Sequence, residues 1–224
     1  MSFRATSVLS VLAAVLVVSA AHAQTTSTSD TLQDLVQTNG SLAIGDKVFN
    51  NFDFFASGLT GFDPSQIRVT ASFSNGNYFL TWDGKMSLVS GGSATSDLLL
   101  GYTVTATDGA IDELDASFTG SAQPTGGSFL ALDETVRDTQ GVVLGTMHLD
   151  ANHTSATLNI DPAQTSLNIT KDLGFGIIDG GFVTVSEISQ SIHQVVPEAN
   201  SVILFGTGLA LLGIVSIRRQ RRSC

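Results

Sequence analysis

The sequence predicts an all-β ectodomain, a β-sandwich of jelly-roll-like type, flanked by an N-terminal signal peptide and a C-terminal transmembrane helix. Three observations predict it. Apolar residues of the body recur with period two, as in half-buried strands. Asn-Gly, Asp-Gly and glycine-rich breaks interrupt them at short intervals, with 22 glycines in all. No ten-residue stretch of the body carries a convincing helical stripe, whereas both chain ends hold uninterrupted apolar runs.

The elements follow in chain order. Residues 1–23 read as a signal peptide. Arg4 supplies the basic start and Val8 to Ala21 the apolar stretch, and Ala21-His22-Ala23 makes an A-x-A cleavage site before Gln24. The small residues there favour cleavage over an uncleaved anchor. Residues 24–40, rich in Thr, Ser and Gln, are expected to be a flexible lead-in. Within it Leu32, Leu35 and Val36 suit a helical turn or two.

The sandwich is expected over residues 41–194. Leu42 and Ile44 alternate before a Gly45-Asp46 turn, and Val48, Phe49, Phe52, Phe54 and Phe55 form a dense apolar strand. Ile67, Val69, Ala71 and Phe73 alternate up to Ser74-Asn75-Gly76-Asn77, where Asn-Gly supplies the positive φ of a tight hairpin. Tyr78, Leu80 and Trp82 return, and Asp83-Gly84 reads as a further turn. Leu98, Leu100, Tyr102, Val104 and Ala106 form the next strand, closed by Asp108-Gly109. Leu114, Ala116 and Phe118 follow, then 129–132, 142–149, 156–160, 166–169 and 182–188. Phe73, Trp82, Tyr102 and Phe118 lie at alternating positions that point inward.

Residues 195–222 form a tail of three parts. Val196-Pro197-Glu198 precedes an uncharged run from Ser201 to Ile217, and Arg218, Arg219, Arg221 and Arg222 follow it. As a helix the seventeen-residue run is about 25 Å long, at the short end of a membrane span. The arginines can snorkel to extend its reach, and as a basic flank they stay cytoplasmic, which places the body on the far side. An uninterrupted apolar run ended by a basic cluster favours an anchor over a buried core helix.

This tail resembles the PEP-CTERM sorting signal, with Val196, Pro197 and Glu198, the apolar span and Arg218–Arg222 matching and Ala199 standing where a second proline is usual. The resemblance covers about an eighth of the chain. It implies export through the Sec translocon, insertion of the tail helix in the membrane and recognition by an exosortase-like processing enzyme. It also implies hosts that make exopolysaccharide, a possible further partner. Ala199 puts the efficiency of processing in question. Parts of the body are similar to a recurrent group among such proteins. These are the segment from Gly40 to Phe52, the strand Ile111–Gly120, Lys171-Asp172-Leu173 and the later Gly180-Gly181. That similarity implies a fold and no activity.

Composition narrows the function. The chain carries a net charge of −10. Between Gln24 and Val196 stand five basic against nineteen acidic residues, a net of −14, which argues against nucleic acid and anionic lipid headgroups as partners. The lone cysteine is Cys224, so the body folds without a disulfide and holds neither a Cys-type zinc site nor a thiol nucleophile.

The densest acidic stretch, Asp108 to Asp115, offers Asp108, Asp112 and Asp115 as oxygen ligands for calcium, without EF-hand or β-roll spacing. A solvated loop is the plainer reading. Asp133 with Glu134, and Asp46 with Asp53, are weaker pairs. His148 alternates with Thr146 and Asp150 and belongs on a solvent face. His148 and His153 match no zinc-hydrolase motif, and there is no G-x-S-x-G elbow, phosphate loop or dinucleotide fingerprint. Trp82, with Tyr78 and Tyr102, is the candidate sugar platform, weighed against a place in the core. No cofactor is implied. The expectation is an exported, surface-tethered, non-catalytic protein of the envelope or exopolysaccharide matrix, with a carbohydrate- or calcium-binding module as the alternative.

Overall fold

A computed structural model describes residues 26–122 and 127–195. The expected signal peptide with Ala21, Ala23 and Gln24, and the expected sorting tail with Val196, Pro197, Glu198, the apolar span and Arg218–Arg222, lie outside the described residues. No helix among the described residues is long and apolar enough to cross a membrane.

The described chain is nearly all strand. In order it runs β1 (Thr26–Thr31), α1 (Leu32–Gln37), β2 (Leu42–Ile44), β3 (Lys47–Ser57), β4 (Arg68–Ser74), β5 (Asn77–Ser90) and β6 (Ala94–Ala106). There follow β7 (Ala110–Ala122), β8 (Phe129–Arg137), β9 (Val143–Asp150), β10 (Ser155–Gln164), β11 (Ser166–Ile177) and β12 (Gly181–Val195). Two six-stranded antiparallel sheets result. Sheet A has the order β1-β4-β5-β12-β7-β10 and sheet B the order β2-β3-β6-β11-β8-β9.

The pairing is nested. β8 pairs β9, β7 pairs β10, β6 pairs β11 and β5 pairs β12, alternating between the sheets. That is the wrapping of an eight-stranded jelly roll, with β1–β4 added along one side. The expected sandwich is therefore present. Its inner faces carry the alternating residues, with Trp82, Tyr102 and Phe118 buried and Phe73 packed at the margin.

Three local expectations are corrected. Residues 26–40 are not a lead-in: β1 pairs β4 over its full length, and α1 buries Leu32 and Leu35. The Ser/Thr run shows no apolar alternation because β1 is an exposed edge held by backbone bonds. Thr31 caps α1, its hydroxyl accepting from the Asp34 amide at 3.1 Å and donating to the Asp34 carboxylate at 2.8 Å. Asp83-Gly84 is no turn, since β5 continues through it with a register shift against β12. Gly84 has φ +151°, and a Cβ there would fall 2.9 Å from the Gln66 carbonyl oxygen, so glycine lets two backbones approach. In β3 a register shift between Asn50 and Asp53, with Asn51 at φ 52°, changes the parity. Phe49 and Phe52 therefore both point inward, while Phe55 is 64% exposed. The Asn75-Gly76 hairpin stands as expected, both residues at positive φ between β4 and β5.

Candidate functional site

On the outer face of sheet A, β7 and β12 bring Glu113, Asp115 and His193 together, their ligand atoms all within 4.8 Å of one another. His193 Nε2 lies 2.8 Å from Asp115 Oδ2 and 3.7 Å from Glu113 Oε1. The Ser191 hydroxyl donates to Asp115 Oδ2 at 2.7 Å, and the Thr157 hydroxyl of β10 to Oδ1 at 2.6 Å. Burial alone would push the Asp115 carboxyl up; the bonds from Thr157, Ser191 and His193 outweigh it and hold the group below its ordinary range. Ser191, His193 and Asp115 are the residue types of a hydrolase triad, but not its geometry. Ser191 lies 3.3 Å from the same Nε2 that meets Asp115, so no relay runs through the two ring nitrogens.

The sequence candidates are dispersed. Asp115 joins this cluster, but Asp108 is exposed in the β6–β7 turn and Asp112 sits at the register shift opposite β12. Among the described residues the three do not group as a calcium site; Asp115 groups with Glu113 and His193 instead. Trp82 is 1% and Tyr102 3% exposed, so neither presents a ring to solvent; their rings pack on each other at 5.2 Å. The sugar-platform role of Trp82 is thus replaced by a core role. Tyr78 is half-buried, with Lys47 Nζ 4.3 Å from its ring centre. His148 is on the solvent face as expected, 2.7 Å from Asp133 across β8 and β9. That carboxylate raises the His148 pKa.

The outer face of sheet B is the other patterned surface. Asn51, Asp53, Gly101, Thr103, Asn168 and Thr170 line an open groove of about 280 Å³. Thr103 donates to Asn168 at 2.8 Å, and Asn51 to Thr103 at 3.2 Å. One row further along, Asp172 lies beside Asp133, and Asp97 is nearby. Burial, and then the charges of Asp97 and Asp133, raise the Asp172 carboxyl above its ordinary value. Beyond it Phe129, 49% exposed, lies on Gly176, where a Cβ would fall 1.9 Å from the ring. Ser93, Thr95, Phe129 and Ile178 line an apolar cleft of about 350 Å³ there.

Sequence reasoning missed a third constellation, inside the sandwich. Lys171, Glu134 and Gln190 are fully buried. Lys171 Nζ contacts Glu134 Oε2 and Gln190 Oε1 and lies 5.8 Å from the Trp82 ring centre. Parity could have found them. Lys171 stands between Ile169 and Leu173, Glu134 between Leu132 and Val136, and Gln190 between Ile188 and Ile192, each at an inward position. A second such set, Lys47 with Asp46 and Gln194, closes the rim beside Tyr78.

No family model matches the chain, and no curated protein matches it. Solved structures of low similarity do. One is a study of promiscuous carbohydrate-binding modules of the β-sandwich superfamily, at 13% identity and TM-score 0.34, covering 64% of this chain and 56% of that one. Another, described as CBM4 structure and function, has 11% identity and TM-score 0.27, covering 62% and 86%. The enzymatically active domain of bacteriophage CBA120 tailspike protein 4 has 12% identity and TM-score 0.30, covering 62% of this chain and 19% of that one. Likeness of this degree transfers no function.

Proposed function

We propose that the chain is an exported, cell-surface-tethered, non-catalytic β-sandwich of the envelope or exopolysaccharide matrix, processed by an exosortase-like enzyme. One observation carries the reading. The described residues from Thr26 to Val195 pack as one sandwich, and in the sequence they lie between the A-x-A site and Val196-Pro197-Glu198. The core of that sandwich is closed without a cysteine. Expression in hosts with and without an exosortase tests it. Loss of the tail only where the exosortase is present is expected. An unchanged mass in both hosts reduces the tail to a plain anchor and removes the processing step.

The second reading is a carbohydrate-binding module, and the outer face of sheet B favours it. From Asn168 to Gly176 along β11 this face runs about 27 Å at roughly 3.4 Å per residue. It offers a groove lined by hydroxyls, amides and Asp53, three further carboxylates and an exposed ring. Acceptors, donors and an apolar face are what a sugar chain needs. A glycan array with and without calcium tests it. Binding that falls at least tenfold in both Phe129→Ala and Asn168→Ala is expected, and binding that survives both changes contradicts it.

A further inference from the structure

We propose that the domain cross-links itself, Lys171 forming an isopeptide bond with Gln190 while Glu134 carries the proton. Lys171 belongs to β11 of sheet B and Gln190 to β12 of sheet A, so the bond joins the two sheets. Glu134 of β8 is the direct cross-strand neighbour of Lys171. All three side chains are sealed from solvent, with Trp82 and Tyr102 around them. The Lys171 nitrogen touches the Gln190 carbonyl oxygen, one bond from the carbon it attacks. Glu134 Oε1 and Gln190 Nε2 are buried without hydrogen-bond partners. These are the oxygen of the proton carrier and the nitrogen of the leaving group.

A buried ion pair is poorly repaid for its lost hydration. A proton passing from Lys171 to Glu134 leaves a neutral amine and a carboxylic acid. Burial favours this, holding the Lys171 ammonium below its ordinary range against the attraction of Glu134. The amine then attacks Gln190 Cδ. A new N–C bond forms, the Cδ–Nε2 bond breaks, and Glu134 passes its proton to Nε2, which leaves as ammonia, and takes up the proton that the attacking nitrogen sheds. Amine and primary amide become secondary amide and ammonia, with no oxidant or cofactor, and Glu134 ends as the carboxylic acid it was when the amine attacked. The set at Lys47 behaves differently. Asp46 reaches solvent, and although burial alone would raise its carboxyl, Tyr78 and Lys47 outweigh that and hold it low, so the ion pair persists.

The test is a tryptic digest of the full exported chain after denaturation. Lys171 is the only Lys or Arg between Arg137 and Arg218. The expected result is no cut after Lys171, in a peptide lighter by about 17 Da, the ammonia lost when the amine displaces it. Fragmentation should place that loss at Lys171 and Gln190, apart from the same loss by cyclisation of an N-terminal Gln24. E134Q keeps the shape and removes the proton carrier, so cleavage after Lys171 should return while circular dichroism stays that of a β-protein; Q190L should restore the cut as well. Complete cleavage after Lys171 in the denatured wild-type chain, or a cross-link mapped to Lys47 in its place, overturns the proposal whether or not either variant folds.

Discussion

Trp82 packs against Tyr102 and lies near the Lys171 ammonium, with 1% of its surface exposed. Truncating a buried aromatic typically costs about 3–5 kcal/mol, a large part of a domain stability of roughly 5–15 kcal/mol. Trp82→Ala should therefore lower the melting temperature sharply, and the wild-type indole should emit to the blue. Red-shifted wild-type emission would place the ring in water. Asp172 gives a pH-dependent prediction. Its folded carboxyl is raised above the ordinary value, so ionisation costs stability above that folded pKa, and the cost disappears as pH falls to the ordinary value near 3.8. Asp172→Asn should stabilise slightly at pH 7, by less than about 0.5 kcal/mol for an exposed site, and not at all in acid. Urea unfolding at the two pH values measures this, and equal gains at both would contradict it. At this scale the sequence was most legible where one face is apolar. Alternation pointed Trp82 and Tyr102 inward, and their burial decides for the core over the sugar platform. Lys171, Glu134 and Gln190 sit at inward positions of the same pattern, yet polar residues in a strand are normally assigned to solvent.

At the scale of elements, legibility followed the strength of the alternation. β4, β6 and β7 announce themselves by inward residues every second position, and Asn75-Gly76 announces its hairpin by chemistry. β1 does not, because an edge strand of Ser and Thr buries almost nothing and is defined by backbone bonds to β4. What holds β1 and α1 is the pair Leu32 and Leu35, each 1% exposed. Leu35→Ala should cost about 2–5 kcal/mol, and hydrogen exchange should show β1 loosened with it. A flexible lead-in would lose nothing. Bulges hide from sequence for a different reason: one extra residue shifts the parity by one, so Phe52 turns inward and Phe55 outward. The Glu113–Asp115–His193 cluster hid likewise, since its members come from two strands far apart in the chain and meet only through register.

At the scale of the molecule, nested pairing closes one core from two sheets, leaving short β2 and Pro162-bearing β10 among the strands at the sheet edges. Proline at an edge discourages further strand pairing. The acidic body repels other copies by charge. The proposed function requires that this sandwich be exported and work outside the cytoplasm. The most direct measurement is the N-terminal residue and location of the native protein, read by cell fractionation and mass analysis of its terminal peptide. Gln24 is expected as the first residue, with the body outside the inner membrane. A cytoplasmic body that retains Met1 would contradict it.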